Sequence, residues 1–193
     1  MASLATLRRE AAGCRACPLW RNATQTVFGE GPPKAIVMLV GEQPGDQEDR
    51  QGRPFVGPAG RILDDALADA GIPRDRTYVT NAVKHFKWKA RGKRRIHDKP
   101  SWSEVSACRP WLEGEVAAVR PQAIVALGAT AARAVVGRTV AITRERGQPL
   151  ESDLAPLVVV TFHPSAVLRA QDRRAEMLGE LTDDLRVVAS RLH

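Results

Sequence analysis

The chain has 193 residues, 44% of them apolar, which suits one compact domain with a buried core. Its formal net charge is +7 with a pI near 9.9, and the basic excess between Lys84 and Lys99 favours a polyanionic partner. The first ten residues lack the apolar centre of a secretory signal, no apolar run approaches the roughly 18 residues that span a bilayer, and three cysteines argue against a disulfide framework. The expectation is a soluble, cytoplasmic, monomeric protein with no membrane partner, whose thiols serve metal binding, catalysis or burial.

In chain order, Cys14 and Cys17 come first, a C-x-x-C pair just before Pro18. Four short runs rich in β-branched residues follow, at 35–40, 77–83, 123–127 and 157–162, and read as buried parallel strands. Between and after them, 60–70, 103–119, 130–136 and 173–192 have helical spacing. The alternation predicts a layered α/β domain occupying the whole chain, 1–193. The most loop-like stretch is 86–101, rich in Lys and Arg and containing Gly92 and Pro100. Each strand ends in polar or Gly/Pro-rich residues: Gly41-Glu42-Gln43-Pro44-Gly45-Asp46, Lys84-His85, Gly128-Ala129-Thr130 and His163-Pro164-Ser165. Open parallel sheets bind ligands at the carboxyl ends of their strands, so these segments predict a site along one sheet edge.

The C-x-x-C spacing suits two ligands of one metal centre, with Cys108, early in a predicted helix, as a third. A redox pair of the thioredoxin kind is disfavoured because this pair precedes the first strand. His85, leaving the second strand toward the site edge, is the candidate fourth ligand, although a lone histidine also serves as a hydrogen-bonded structural residue. The residues alone leave zinc and an iron–sulfur cluster both open.

Together with the strand end Tyr78-Val79-Thr80-Asn81-Ala82-Val83-Lys84, the segment Gly41 to Gly45, the run Gly52-Arg53-Pro54-Phe55-Val56-Gly57-Pro58-Ala59-Gly60 and His163-Pro164-Ser165 resemble the family-4 uracil-DNA glycosylases. The resemblance implies a central four-stranded parallel sheet between helices and a [4Fe-4S] cluster. Family-4 enzymes hold that cluster with four cysteines, whereas this chain has His85 at one of the positions, and they lack the insertion Lys93-Arg94-Arg95-Ile96-His97. These two departures, with Gln43, look like the UdgX subfamily, whose members become covalently attached to uracil-containing DNA. The resemblance thereby implies Cys14, Cys17, His85 and Cys108 as cluster ligands.

Excising a base from DNA requires extruding it into a pocket. Phe55 is then the expected stacking platform, and Asn81 the reader of uracil, since one amide offers both a donor and an acceptor. His163 is expected to donate to the departing uracil, and Glu42 with Gln43 to stabilise the cationic sugar or orient the attacking group. Gly41 allows close approach, Ser165 belongs to the substrate-binding His-Pro-Ser motif, and Arg95 with its basic neighbours is expected to neutralise phosphate. In the subsidiary family, the histidine matching His97 captures C1′ after uracil departs. The expected reaction is excision of uracil from single-stranded or duplex DNA, releasing free uracil and leaving the sugar bound to His97. A hydrolytic glycosylase with turnover and a non-catalytic iron–sulfur nucleic-acid-binding or redox module are the alternatives.

Overall fold

Residues 37–41, 77–81 and 123–127 are buried throughout, with no in–out alternation, as strands covered on both faces must be. The computed structural model describes residues 2–192. Its helices and strands, in chain order, are α1 (Leu4–Ala11), β1 (Val37–Gly41), α2 (Asp46–Gln51), α3 (Pro58–Asp69), β2 (Thr77–Asn81), β3 (Trp88–Arg91) and β4 (Arg94–His97). There follow α4 (Trp102–Val119), β5 (Ala123–Leu127), α5 (Ala129–Val136), α6 (Ile142–Glu145), β6 (Pro149–Leu150), β7 (Leu157–Thr161), α7 (Pro164–Arg169) and α8 (Arg174–Ala189).

The sheet order is β2-β1-β5-β7-β6. The four expected parallel strands are present, but β6 adds a fifth, antiparallel edge strand. Two residues, one of them proline, carry no periodic signal, which is why the sequence leaves β6 unread. On one face, Met38, Val40, Tyr78, Ile124 and Val158 pack against Val105, Cys108 and Leu112 of α4 and Val135 of α5. On the other, Leu39, Val79, Val125 and Val159 meet Leu63 and Leu67 of α3 and Leu181 and Leu185 of α8. Among the described residues no helix is long and apolar enough to cross a membrane.

The segment expected to be a loop at 86–101 is instead largely a two-stranded antiparallel hairpin, β3 with β4. Gly92, at φ +60°, occupies its two-residue turn, where a tight hairpin needs a left-handed residue. Charged side chains on both strands hide this from a reading based on hydrophobic alternation. Gln43 pins the base of the hairpin: its amide oxygen accepts from Lys87 N (3.0 Å), and its amide nitrogen donates to the carbonyls of Lys87 (3.1 Å) and Asp98 (3.0 Å). A second brace is Arg95, which pairs with Asp46 (2.5 Å) and Asp49 (2.6 Å) of α2 and lies over the Phe86 and Trp88 rings.

Candidate active site

A cleft of about 590 Å³ opens at the carboxyl ends of the parallel strands, lined among others by Glu42, Gln43, Phe55, Asn81, His97, His163 and Ser165. Gly41 and Asn81 end β1 and β2 as register partners. A side chain at Gly41 would overlap Asn81 Oδ1 and reach within 2.8 Å of Phe55 Cζ, so only glycine lets these two groups converge. Asn81 is 3% exposed, yet among the described residues its side-chain amide makes no hydrogen bond; its donor and acceptor remain open to the cleft. The amide can therefore both donate and accept at the cleft wall.

Phe55 holds a left-handed backbone, φ +55°, which is unfavourable for a bulky residue. The turn is built around it: a Cβ at Gly60 would strike the Phe55 carbonyl, and Glu48 accepts from Gly45 N (3.1 Å) and Gly57 N (2.9 Å), bridging the two glycine-containing segments. The Phe55 ring faces His163 at 6.1 Å between centroids and 26° between planes.

His163 caps the start of α7. Its Nδ1 accepts from Ser165 N (3.1 Å) and lies 2.8 Å from Ser165 Oγ, so in the neutral ring Nε2 carries the proton. Burial pushes its pKa down to about 4, and the nearby Glu42 carboxylate only partly opposes this. The ring is therefore a neutral donor at physiological pH, and Ser165 acts on it directly.

Glu42 leaves the end of β1 between two partners. Its Oε1 lies 3.0 Å from His97 Nε2, and its Oε2 accepts from the Thr130 hydroxyl in a short contact. Burial raises the carboxyl pKa, but the hydrogen bonds from His97 and Thr130 outweigh it, and the net direction is down. A carboxylate thus stands in the cleft. The His97 side chain, at the end of β4, is 52% exposed, so the ring reaches Glu42 while remaining open to solvent.

Two of the expected site residues have other occupations. Gln43 is committed through all three of its bonds to the backbone just before β3 and just after β4, beside His97. Arg95 is turned inward against Asp46 and Asp49, leaving Lys93 and Arg94 as the exposed cations of the insertion. Four residues at the site escaped the sequence reading: Thr130, Glu48, Thr26 and Arg169. Thr130 lay in a strand-end segment already marked, and Glu48 sits three residues after Gly45 in capping-box position. Arg169 lines the cleft, is exposed, and forms no ion pair among the described residues; Thr26 bears on the cysteines.

Cys14 and Cys17 lie on the segment that follows α1, and Cys108 is in α4. Cys14 Sγ accepts from Trp111 Nε1 (3.2 Å) and Cys108 Sγ from Lys84 N (3.2 Å), and Cys17 packs against the core that contains Cys108. Burial pushes the Cys108 thiol up to about 11, Lys84 offsetting only part of this, and burial also raises Cys17. His85, 5% exposed, sets Nε2 2.9 Å from Thr26 Oγ1. Because that hydroxyl donates to Ala11 O (3.0 Å), it accepts from His85 Nε2–H, and Nδ1 keeps a lone pair. Ala11 O also accepts from Cys14 N, so the histidine is docked on the turn that bears the first cysteine. Among the described residues, no three His, Cys, Asp or Glu side chains converge as a single ion requires. Ligands of a cubane cluster bind separate irons and stand farther apart, and hydrogen-bonded sulfurs suit them.

The family profile described as the uracil DNA glycosylase superfamily matches residues 28–186. A type-4 uracil-DNA glycosylase of Thermotoga maritima is 40% identical over 173 residues, covering 89% of this chain and 85% of the relative. That of Archaeoglobus fulgidus is 36% identical over 183 residues, 91% of this chain and 88% of the relative. A type-5 uracil-DNA glycosylase of Pyrobaculum aerophilum is 33% identical over 171 residues, 77% and 71% of the two chains. The matched span runs from Phe28 into α8 and takes in the whole sheet and every cleft residue named above, and on that ground the chain belongs to the uracil-DNA glycosylase superfamily.

Proposed function

We propose that this chain excises uracil from DNA and then retains the abasic sugar on His97. The observation that carries the reading is the meeting, in one cleft, of an uncommitted Asn81 amide and the His97–Glu42 pair. Its similarity to proteins named type-4 uracil-DNA glycosylases supports the base and the bond. Capture of the sugar rests on His97 alone.

An extruded uracil stacks on Phe55, and the Asn81 amide donates to O4 and accepts from N3–H, a pattern that cytosine reverses. As the C1′–N1 bond breaks, its electron pair leaves with uracil, and His163 Nε2–H donates to the resulting anion. The Glu42 carboxylate stabilises the positive charge left on the sugar. The His97 ring then supplies its lone pair to C1′, and the imidazolium so formed is offset by Glu42. Arg169, Lys93 and Arg94 meet phosphates.

Cys14, Cys17, His85 and Cys108 are the residues that would hold a [4Fe-4S] cluster, in keeping with their hydrogen-bonded sulfurs and the free Nδ1 of His85. Bound there, a cluster would tie together the segment after α1, the stretch after β2 and α4.

The test is to mix iron-loaded protein with a uracil-containing oligonucleotide, run a denaturing gel and measure free uracil. The expected result is an adduct that survives SDS, with one uracil released per protein. Many uracils per protein would overturn trapping and leave a hydrolytic glycosylase; no uracil at all would overturn both steps. Stoichiometric zinc without iron or labile sulfide after anaerobic purification would overturn the cluster assignment.

A further inference from the structure

A second groove, of about 310 Å³, lies beside the catalytic cleft and is lined by Lys99, Trp102, Ala129, Thr130, Arg133 and Thr139 among others. Ala129 lines both cavities, and Thr130, whose hydroxyl holds Glu42, lines this one. The groove therefore adjoins the cleft on the side of Glu42 and His97, where the sugar of an extruded nucleotide lies and its strand must leave.

Trp102 is 36% exposed, unusual for so large an apolar side chain here; Ile96 is the other such case among the described residues. Helix α4 does not need the ring. Its N-terminus is closed by Ser101 and Glu104, each bonding the other's backbone N–H. Instead the indole is stacked by the Arg133 guanidinium, 3.8 Å from the ring centroid. Neither Arg133 nor Lys99 forms an ion pair among the described residues, so both charges are open to an anion. A part-exposed indole beside cations that have no carboxylate partner is the chemistry by which proteins hold unpaired nucleotides, the ring surface left open by Arg133 taking a base and the cations a phosphate.

We propose that this groove binds the nucleotide flanking the extruded deoxyuridine on the same strand, its base against Trp102 and its phosphate against Lys99 and Arg133. The inference rests on the DNA-glycosylase reading above and adds a subsite to it. Stacking tolerates any base, so the subsite strengthens binding of single strands without sequence preference.

The experiment uses single-stranded oligonucleotides with one deoxyuridine, in which the flanking base on the 5′ or the 3′ side is replaced by a tetrahydrofuran residue. The half-saturating protein concentration and the saturating rate of uracil release are measured with protein in excess over DNA. For the wild type, loss of the base on one side should raise the half-saturating concentration about fivefold, the low end of one base–aromatic stack, with the saturating rate unchanged. Trp102→Ala should show that weakening with the intact strand and lose its sensitivity to the missing base, whereas Trp102→Phe should keep most of it. Equal sensitivity of Trp102→Ala and wild type, or no effect of base removal on either side, would overturn the proposal. Absence of uracil release from the intact strand would overturn the glycosylase reading with it, whereas release with unchanged half-saturation overturns this subsite alone.

Discussion

His97 Nε2 lies 3.0 Å from Glu42 Oε1, while the second carboxylate oxygen is held by Thr130. The carboxylate thereby belongs at once to the wall of the cleft and to the tip of a strand from a separate hairpin. Replacing His97 with Ser removes the ring and leaves Glu42, Asn81 and His163 in place, so the SDS-stable adduct should vanish while free uracil appears. Glu42→Gln removes the charge opposite the sugar, and uracil release should slow by about a hundredfold, the lower range for a preorganised electrostatic group. Rapid-quench measurement of both products separates the two effects.

Gln43 gives a different signature. Gln43→Ala deletes three hydrogen bonds at the base of the hairpin, each contributing a net of about 1 kcal/mol, so the protein should lose about 2–3 kcal/mol in denaturant unfolding. Because β4 carries His97, adduct formation should slow more than uracil release. Equal slowing of the two would assign Gln43 to bond breaking.

Base selection should depend on Gly41 as much as on Asn81. Asn81→Asp replaces a donor with an acceptor, and Gly41→Ala drives a methyl group into Asn81 Oδ1 and the Phe55 ring. Either should lower uracil release at least about a hundredfold, since a site built to hydrogen-bond its substrate loses heavily when one group is mispaired. Binding of an oligonucleotide without uracil should change little in both variants.

Lys84 and Glu115 form an ion pair of 2.5 Å with both side chains fully buried, and Lys84 Nζ also donates to Thr80 Oγ1 and the Asn81 carbonyl. Tyr78, Thr80 and Gly29 donate to the same carboxylate. Lys84→Met or Glu115→Gln alone leaves an uncompensated polar centre and should cost about 3–5 kcal/mol. The double variant should recover part of that loss in equilibrium unfolding.

His163 makes stability depend on pH. Its folded pKa of about 4 is below the usual histidine value near 6.5, so between these values the unfolded chain binds a proton that the folded chain does not. The contribution is constant above about pH 6.5 and is lost progressively as the pH falls toward 4, by up to about 3 kcal/mol on the linkage relation. His163→Gln should flatten that part of the stability profile, and matched denaturation curves at pH 7 and 5 read the difference.

Three of the four parallel strands were legible because burial on both faces leaves nearly continuous apolar runs in β1, β5 and β7, and β2 because Thr77, Tyr78, Val79 and Thr80 are β-branched or aromatic; each lies within two residues of its expected bounds. The strand-end punctuation likewise located the edge where Glu42, Asn81 and His163 gather. What periodicity missed was short or charged: β6 has two residues, and the β3–β4 hairpin carries its information in Gly92 and in Gln43, far away in the chain.

By itself, then, the sequence determined the layered α/β class, the sheet edge that bears the cleft and the residue types available there, because burial patterns and turn residues are local properties. Only the tertiary structure decided what each polar side chain bonds to. It turned Arg95 inward onto Asp46 and Asp49, committed Gln43 to the hairpin, brought Thr130 to Glu42 and left the Asn81 amide open. A side chain's partner is set by whichever segment packs against it, and Glu42 and His97, 55 positions apart, meet because the sheet and the hairpin converge on one edge.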